Sequence, residues 1–426
     1  MIRQSSVRAA AVISAVLLSN SAWGQLRVVT YNVADLQGNT GEILNTLTLL
    51  TEDSAPNSGT IRVPDLYIVQ EVSSGTVNTL RSYLNSTAPL GITYNLATFT
   101  SNGGGGENAL YYRSDTIMEV ANEHRDITNH SGPRATDRWK VRLTQATNTS
   151  LYIYGSHFKA DVGSSNESMR ESEANAIRND ADSLGDGVNV IYAGDWNTYA
   201  NIEPAYVRFF DSGPGKAVDP VYERSFPIVS HSQSPHDGSE GLVTGGMDDR
   251  FDFIQMTEEL VDGSDIDIVT GAYRSVGNDG NHYNKAINNG YNDYFPTSEQ
   301  WKSDALAKAS DHLPVMADFT LFGEVFSLDA DLLFSNAFAT LRTYGSRPNE
   351  MVYFIYSTRG LGETVVGQLG VTLRLDRPAL AGQDLADGTG LAELTVKVPR
   401  NASGVGVWFE AAQQGQTTDV VYRKVI

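Results

Sequence analysis

Four short runs of β-branched and aromatic residues constrain the fold of this chain most strongly. They are LRVVTYNV (Leu26–Val33), DLYIVQEV (Asp65–Val72), LYIYGSH (Leu151–His157) and VNVIYAG (Val188–Gly194). Their nearly continuous apolar content is typical of strands that are buried on both faces. Between the last two runs, apolar residues recur at helical spacing: Ala174, Ile177, Ala181 and Leu184. We expect Asn166 or a nearby serine to cap this helix and Gly185 to end it. Strand, helix and strand in this order predict a layered α/β domain.

The first 24 residues are typical of an export signal. Arg3 and Arg8 precede a ten-residue apolar core, Ala9–Leu18, and small residues follow at Ser21–Gly24. The core is too short to span a bilayer, so a cleaved signal is favoured over an uncleaved anchor, and no other stretch approaches a transmembrane span. The sequence therefore predicts a secreted or periplasmic protein whose mature chain begins near Gln25.

The sequence changes character at Gly323. From there to Ile426, helical patterns are scarce, and short apolar runs alternate with turns rich in Gly, Pro, Asn and Asp. This pattern predicts a small all-β sandwich at residues 323–426, following a catalytic domain at residues 25–322. The second domain has no histidine, so we expect it to serve structure, attachment or protein contacts.

Composition limits the chemistry of any site. The chain contains no cysteine, so stability must come from a large core, helped by any bound metal. Its formal net charge is −20, and such a charge repels phosphate polymers at long range. A site that processes phosphate esters would therefore need bound cations.

Polar residues end the predicted strands of the first domain. They are Asn32, Glu71, His157, Asp195 and Asn197. Ligand sites in open α/β sheets lie beyond the carboxyl ends of strands. One such residue is ordinary turn chemistry, but five at the ends of four strands indicate a site. Asp311 and His312 stand before another alternating run and are either a polar turn or a further part of that site.

The residue types in this set suit a divalent cation. Glu71, Asp311 and the Asn32 amide are hard oxygen donors of the kind that Mg²⁺ or Mn²⁺ prefers. Histidines beside carboxylates suit proton transfer near a metal-held phosphate. Asp252, in RFDF, lies on another apolar run and could orient His312.

Six motifs occur in an order that resembles a known family. They are YNV with Asn32, QEV with Glu71, SHFKA with His157, GDWN with Asp195 and Asn197, RFDF with Asp252, and SDHLP with Asp311 and His312. From about Leu26 to Phe322 the chain resembles the endonuclease/exonuclease/phosphatase superfamily, which includes deoxyribonuclease I and bacterial sphingomyelinases. The resemblance implies a four-layered α/β sandwich and Mg²⁺-dependent phosphoester hydrolysis.

The resemblance also implies a role for each motif residue. Glu71 would be the central metal ligand, with Asn32 and Asp311 nearby. His157 and His312 would flank the scissile phosphate, with Asp252 as the partner of His312. Asp195 and Asn197 would orient the attacking water or bind the phosphate. Sequence does not settle which histidine is the acid; we favour His312 as base or phosphate binder and His157 as acid.

Other residues near the motifs could support the substrate. Glu107 is a candidate partner for His157, with a solvated loop acid as the equal alternative. Arg134 and Arg138 could each contact a phosphate, and Lys159 is close enough to His157 to face substrate, although each could equally be an exposed residue. Ser73 follows QEV where deoxyribonucleases carry an arginine, which weakens the case for duplex DNA.

Some polar segments receive a weaker interpretation. Asn102–Gly106 could form a phosphate nest, but a hairpin loop is favoured. Asn278–Phe295 is rich in Asn, Asp and Gly and could hold a structural Ca²⁺, although it lacks EF-hand spacing. The remaining histidines receive no role: His124, His130, His231, His236 and His282.

These observations predict an exported, divalent-metal-dependent phosphodiesterase, with a nuclease acting on nucleic acid as the first choice. A sphingomyelinase-like phospholipase is the alternative enzyme and would need apolar loop tips for membrane contact. An alternative of another class is a binding or adhesion protein with a degenerate enzyme domain, against which the complete polar set argues.

Overall fold

The computed structural model describes residues 25–53, 63–101, 106–144, 149–221, 225–236, 238, 241–262, 266–321, 326–347, 349–387 and 390–426. The predicted export signal at residues 1–24 lies outside the described residues. Residues 102–105 of the glycine-rich run also lie outside them. Within these ranges, no helix is long and apolar enough to cross a membrane.

The described residues between 25 and 321 form an alternating set of strands and helices. The strands are β1 (Gln25–Asn32), β2 (Leu66–Val72), β3 (Tyr94–Leu96), β4 (Glu107–Arg113), β5 (Ile117–Glu119), β6 (Arg125–Ile127), β7 (Thr136–Leu143), β8 (Ser150–His157), β9 (Val190–Asp195), β10 (Ala217–Val218), β11 (Asp252–Thr257), β12 (Ile266–Ile268), β13 (Arg274–Ser275) and β14 (Val315–Leu321). The helices are α1 (Thr40–Glu52), α2 (Val77–Thr87), α3 (Ser164–Asp182), α4 (Pro204–Arg208) and α5 (Trp301–Ala309).

These strands make two sheets that pack face to face. The first has the order β12-β14-β1-β2-β4-β3, with β13 beside β14, and the second has the order β10-β11-β9-β8-β7-β5, with β6 beside β7. Val28 and Ile68 of the first sheet share a buried cluster with Ile153 and Ile191 of the second. The sheets therefore enclose one core between them.

Helices cover the outer face of each sheet. Residues of α1, α2 and α5 pack with Val29 and Tyr67 on the first sheet, and residues of α3 and α4 pack with Tyr154 and Tyr192 on the second. Successive side chains of a strand point to opposite faces, so strands covered on both faces are apolar almost throughout. The predicted four-layered α/β sandwich is confirmed.

The predicted helix between β8 and β9 is present as α3, but its start was predicted wrongly. It begins at Ser164 after Gly163, whose φ is 110°, and no side chain caps it. Asn166 instead lies in the first turn and donates its amide to the carbonyl of Val162. The helix therefore starts at a glycine with a positive φ, which glycine adopts readily, and not at a polar residue whose side chain caps it.

Two parallel pairs bring the strand ends together. β1 pairs with β2 in parallel, and β8 pairs with β9 in parallel. β14 runs antiparallel to β1, and its first residue, Val315, pairs with Thr30 near the end of β1. The segment before β14 is therefore held at the edge of the sandwich where β1 ends.

The chain after Ser327 forms β-strands and no helix in its described part. The strands are β15 (Ser327–Ala330), β16 (Phe338–Tyr344), β17 (Met351–Ser357), β18 (Leu361–Val366), β19 (Val371–Leu375), β20 (Ala379–Leu385), β21 (Ala392–Lys397), β22 (Gly406–Gln413), β23 (Gln416–Thr417) and β24 (Val421–Lys424). Leu341, Phe354 and Phe409 share a buried cluster across its sheets. The predicted all-β part is confirmed, while the boundary at residue 323 falls in residues 322–325, outside the described ranges, and stays a prediction.

Candidate active site

Three neighbouring strands of the second sheet place three predicted site residues side by side. His157 ends β8 and pairs with Asp195 at the end of β9. Asp195 pairs in turn with Asp252, the first residue of β11. All three side chains are buried. Gly194 permits this close pairing, because a Cβ there would lie 2.0 Å from the Ser156 carbonyl oxygen.

The first sheet contributes Asn32 and Glu71 to the same place. The Asn32 side-chain amide donates to Glu71 Oε1 at 3.0 Å and to Asp195 Oδ2 at 3.1 Å. Its Oδ1 accepts the backbone N–H of Ala34. Since the amide nitrogen faces the two acids, Asn32 orients them, and its expected role as a cation ligand stays a prediction.

His312 is joined to Asp252 and Asp195. Its Nδ1 lies 2.7 Å from Asp252 Oδ2, and its Nε2 lies 3.6 Å from Asp195 Oδ2. Burial opposes a charged imidazole, but the carboxylates of Asp252 and Asp195 outweigh it and hold the pKa of His312 well above its usual range. His312 therefore carries positive charge in this arrangement.

His157 has the opposite electrostatic surroundings. Its Nε2 lies 3.5 Å from Asp195 Oδ2 and 3.8 Å from Glu71 Oε1. Burial, followed by the nearby charges of Arg134 and His312, holds its pKa well below the usual range. The two imidazoles flank one carboxylate oxygen, with His312 charged and His157 neutral.

Asp195 lies at the centre of the polar set. Burial raises its pKa to about 7, helped by Asp252 and Glu71, while His312 and the Asn32 hydrogen bond oppose the rise. Its Oδ1 accepts the backbone N–H of Asn197. Asn197, at a φ of 48°, donates its amide to the Phe158 carbonyl. The GDWN turn is thus fixed by its own polar residues.

Trp196 supports that turn from the opposite side. Its buried ring stacks on Phe209 at 4.3 Å, on Phe253 at 4.8 Å and on Phe158 at 5.7 Å between ring centroids. Stacked aromatic packing of this kind makes a rigid base. Asp195 and Asn197 therefore project into the site from a fixed point.

Asp311, Arg138 and Lys159 each have a protein partner in the structure. Asp311 Oδ2 accepts the backbone N–H of Val243; Asp311 is not in the described group of ligand atoms around Glu71, and its role as a cation ligand stays a prediction. Arg138 is buried and pairs with Asp180 of α3 at 2.6 Å. Lys159 donates to the Ala160 carbonyl and to Asp161. Arg138 and Lys159 thus have protein partners in this structure, and their contacts with substrate stay a prediction.

Arg134 and the backbone of Gly106 do lie beside His157. Arg134 donates to the Phe158 carbonyl at 3.3 Å. A Cβ on Gly106, whose φ is +79°, would lie 2.8 Å from Arg134 Nε and 3.4 Å from His157 Nδ1. Glu107 accepts a hydrogen bond from Ser101 Oγ at 2.8 Å, and its pairing with His157 stays a prediction.

Sequence analysis missed Ser232 and Gln233. Ser232 Oγ donates to Asp252 Oδ2 at 2.6 Å, and Gln233 Nε2 lies 2.9 Å from His312 Nε2. Both residues belong to a loop without apolar periodicity. Their only sequence signal is the polar stretch HSQS between Val229 and Pro235.

The arrangement offers ligands for one divalent cation. Glu71, His157 and Asp195 each place a ligand atom within 4.8 Å of the others. Glu71 is the more open donor, with 35% of its side chain exposed against 2% for the other two. One partly exposed carboxylate, one buried carboxylate and one imidazole nitrogen within this distance fit a divalent cation.

Six separate motifs thus converge at one end of two facing sheets that helices cover on both sides. The four-layered α/β sandwich that the resemblance implies is confirmed by the two packed sheets and their covering helices.

Comparisons with known proteins give distant structural similarities. No protein-family model and no curated protein sequence matches the chain. The human Nocturnin catalytic domain is 15% identical, with 70% of this chain and 94% of that one covered at a TM-score of 0.43. TDP2 of D. rerio is 13% identical, with coverage of 70% and 99% at 0.45. An endonuclease/exonuclease/phosphatase of Beutenbergia cavernae is 13% identical, with coverage of 94% and 99% at 0.42.

Proposed function

We propose that this protein is an exported phosphodiesterase that depends on a divalent cation and acts as a nuclease. One observation carries the proposal: the Nε2 atoms of His157 and His312 lie 3.5 and 3.6 Å from the same oxygen of Asp195, with Glu71 beside them. Two imidazoles, hard carboxylates and a nearby arginine form the set of groups that phosphoester hydrolysis requires.

Glu71 is the residue that we assign to the cation. Its carboxylate is the most exposed member of the group, and the amide of Asn32 holds Oε1 in place. The expected ion is Mg²⁺ or Mn²⁺, which prefers oxygen donors. When bound, such an ion stabilises the charge that develops on the phosphoryl oxygens.

His312 and Asp252 form the charge-bearing side of the site. The hydrogen bond from Nδ1 to Asp252 fixes the ring and directs Nε2 toward Asp195. Gln233 now contacts that Nε2, and a phosphate oxygen would take the place of its amide. We assign His312 to binding the phosphate, which is one of the two roles considered from the sequence.

His157 and the GDWN turn form the other side. In this assignment His157 is not a ligand of the cation, and its Nε2, which faces Asp195 and Glu71, exchanges a proton with the ester or with water. Asp195 and Asn197 orient the attacking water, and Arg134 contacts a phosphate at the rim. A phosphodiester bound here would have His312 on one side, where it binds the phosphate, and His157 on the other, where it transfers a proton.

A substrate panel tests this proposal. The full mature chain is assayed with Mg²⁺ or Mn²⁺, and again with EDTA, on plasmid DNA, single-stranded DNA, RNA, sphingomyelin and small phosphomonoesters. We expect cleavage of a nucleic acid that EDTA abolishes. Failure to cleave any phosphodiester with either ion would contradict the proposal.

A phospholipase is the second candidate because aliphatic side chains are exposed on loops that adjoin residues of the site motifs. Val162 follows Lys159, Ile202 follows the GDWN turn, and Val243 donates its N–H to Asp311. Such side chains could enter a lipid surface. Cleavage of sphingomyelin without cleavage of nucleic acid would favour this candidate.

A further inference from the structure

A second cluster of ligand-type side chains lies away from the Glu71 group. His124 Nε2 lies 3.1 Å from Asp137 Oδ1 and 3.5 Å from Asp126 Oδ1. His124 precedes β6, Asp126 is in β6 and Asp137 is in β7. Only 9% of the His124 side chain and 4% of the Asp137 side chain are exposed, against 28% for Asp126.

The spacing of these atoms suits a small tetrahedral ion. Zinc binds histidine nitrogen and carboxylate oxygen at about 2.0–2.2 Å, and tetrahedral geometry then separates neighbouring ligand atoms by about 3.3–3.5 Å. The two distances from His124 Nε2 are close to that value, and the three ligand atoms lie within 4.8 Å of one another. One imidazole and two carboxylates can therefore close on one ion with little movement.

Neighbouring residues hold the cluster in this geometry. Asn108 Nδ2 donates to Asp137 Oδ2 at 3.1 Å and to the Ala135 carbonyl at 3.0 Å. Thr100 Oγ1 lies 2.7 Å from Asp126 Oδ1 and 3.4 Å from Asp137 Oδ1. The hydrogen bond to Oδ2 fixes the Asp137 carboxylate so that Oδ1 faces His124. Proteins orient the carboxylates that bind metals in the same way.

We propose that His124, Asp126 and Asp137 bind a structural Zn²⁺ ion, with the Thr100 hydroxyl or a water at the fourth position. Zinc is preferred to Mg²⁺ because an imidazole nitrogen is part of the set and because the group is small. This site is independent of the proposed phosphodiesterase centre, since it shares no residue with the Glu71 group.

The position of the site gives it a structural consequence. Thr100 and Asn108 belong to the part of the chain that builds the first sheet, whereas Asp126 and Asp137 are in strands of the second. With the Thr100 hydroxyl as the fourth ligand, an ion held by His124, Asp126 and Asp137 would link the two sheets at one edge. Because the chain has no cysteine, this ion would provide the cross-link that exported proteins usually take from disulfides.

The same ion would fix the segment that carries Arg134. Residues 128–135 connect β6 to β7, and the cluster holds both ends of that connection. Arg134 lies next to Gly106 and His157. Loss of the ion is therefore expected to loosen one wall of the active site without removing any residue from it.

The alternative explanation is a simple ion pair between His124 and Asp137. Two carboxylates that share one imidazole still carry excess negative charge in a largely buried place. A bound cation supplies the missing charge, whereas the ion pair does not.

Zinc and cobalt binding by the full mature chain test the proposal. Metal is removed from the protein with a chelator, and the protein is then incubated with Zn²⁺. After gel filtration, the bound zinc per chain is measured by elemental mass spectrometry. Co²⁺ is added in a parallel sample as a spectroscopic probe, because tetrahedral Co²⁺ absorbs visible light strongly. The variants are His124→Ala and Asp126→Asn, with Glu71→Gln to remove the other group and His130→Ala as a matched histidine control.

Each outcome decides the proposal. We expect His124→Ala and Asp126→Asn to bind one zinc ion fewer than the wild type and to lose the tetrahedral Co²⁺ spectrum, and Glu71→Gln and His130→Ala to keep that spectrum. Zinc should also raise the melting temperature of wild type and Glu71→Gln but not of Asp126→Asn, whose isosteric change at a partly exposed residue preserves folding. Equal zinc content and equal spectra in wild type and Asp126→Asn would overturn the proposal and leave an ion pair only.

Discussion

His312 and Asp252 lie 60 residues apart in the sequence, yet His312 Nδ1 and Asp252 Oδ2 are 2.7 Å apart in a buried contact. This bond joins the segment before β14 in the first sheet to the start of β11 in the second. It fixes the imidazole that faces Asp195, so the packing of the two sheets sets the geometry of the site.

Replacing Asp252 by asparagine should remove the charge that supports the His312 imidazolium. We expect kcat to fall by about 10²–10⁴-fold with a smaller change in KM, because the contact matters most when charge develops on the phosphate. Steady-state kinetics on a phosphodiester measure the effect. Ser232→Ala removes only a second hydrogen bond to Asp252, so it should lower kcat much less. An unchanged kcat in folded Asp252→Asn would refute the role of this pair.

Arg134 and Arg138 provide a matched pair of substitutions. Arg134→Ala should raise KM and leave stability nearly unchanged, because Arg134 lies at the rim beside His157. Arg138→Ala should lower the free energy of unfolding by roughly 3–5 kcal/mol, because it leaves Asp180 without its buried partner. Urea unfolding and steady-state kinetics of both variants check this. The reverse pattern would show that the two arginines have been assigned wrongly.

Trp196 should be a large contributor to stability. Trp196→Ala leaves a cavity among Phe158, Phe209 and Phe253, and such a change costs about 3–5 kcal/mol. Trp196→Phe should recover most of the loss, since an aromatic ring still stacks there. Thermal unfolding of both variants measures the difference, and equal melting temperatures for Trp196→Ala and wild type would be inconsistent with this packing.

Glu173 should make stability fall as pH rises. Burial raises its pKa to about 7 from 4.5, against the Lys159 N–H and nearby cations that lower it. The folded state therefore holds a proton that the unfolded chain releases, so this stability is fully present below about pH 4.5 and is lost as pH passes about 7. The contribution is roughly 3 kcal/mol. Glu173→Gln should lose this dependence when urea unfolding is compared at about pH 5 and about pH 8; an identical pH dependence in both proteins would contradict it.

The sequence predicted the layers and most of the site because the relevant signals are local. Apolar runs mark strands with two buried faces, and polar residues at their ends mark the edge where parallel strands finish. The partners of Arg138 could not be predicted from its position in the sequence. Neighbouring strand residues point to opposite faces, so Asp137 contacts Asn108 while Arg138 contacts Asp180 of α3.

The remaining site residues could not be found by periodicity. Gln233 reaches His312 through a loop with no regular pattern, and Asn32 turns its nitrogen to the acids only because Ala34 takes its oxygen. The cluster of His124, Asp126 and Asp137 depends on how β6 and β7 pair. Contacts of this kind depend on how distant segments pack together, so they cannot be predicted from the pattern of residues within one segment.

Glu71→Gln tests the central claim most directly, because it changes one charge at the proposed cation ligand and leaves both histidines in place. Hydrolysis of a simple phosphodiester is followed for wild type and variant across a Mg²⁺ titration, with EDTA as the blank. The account predicts Mg²⁺-dependent hydrolysis by the wild type and, for a folded Glu71→Gln protein, a loss of at least about 10²-fold that excess Mg²⁺ does not restore. Equal rates in the two proteins, or a wild-type rate that EDTA does not change, would contradict it.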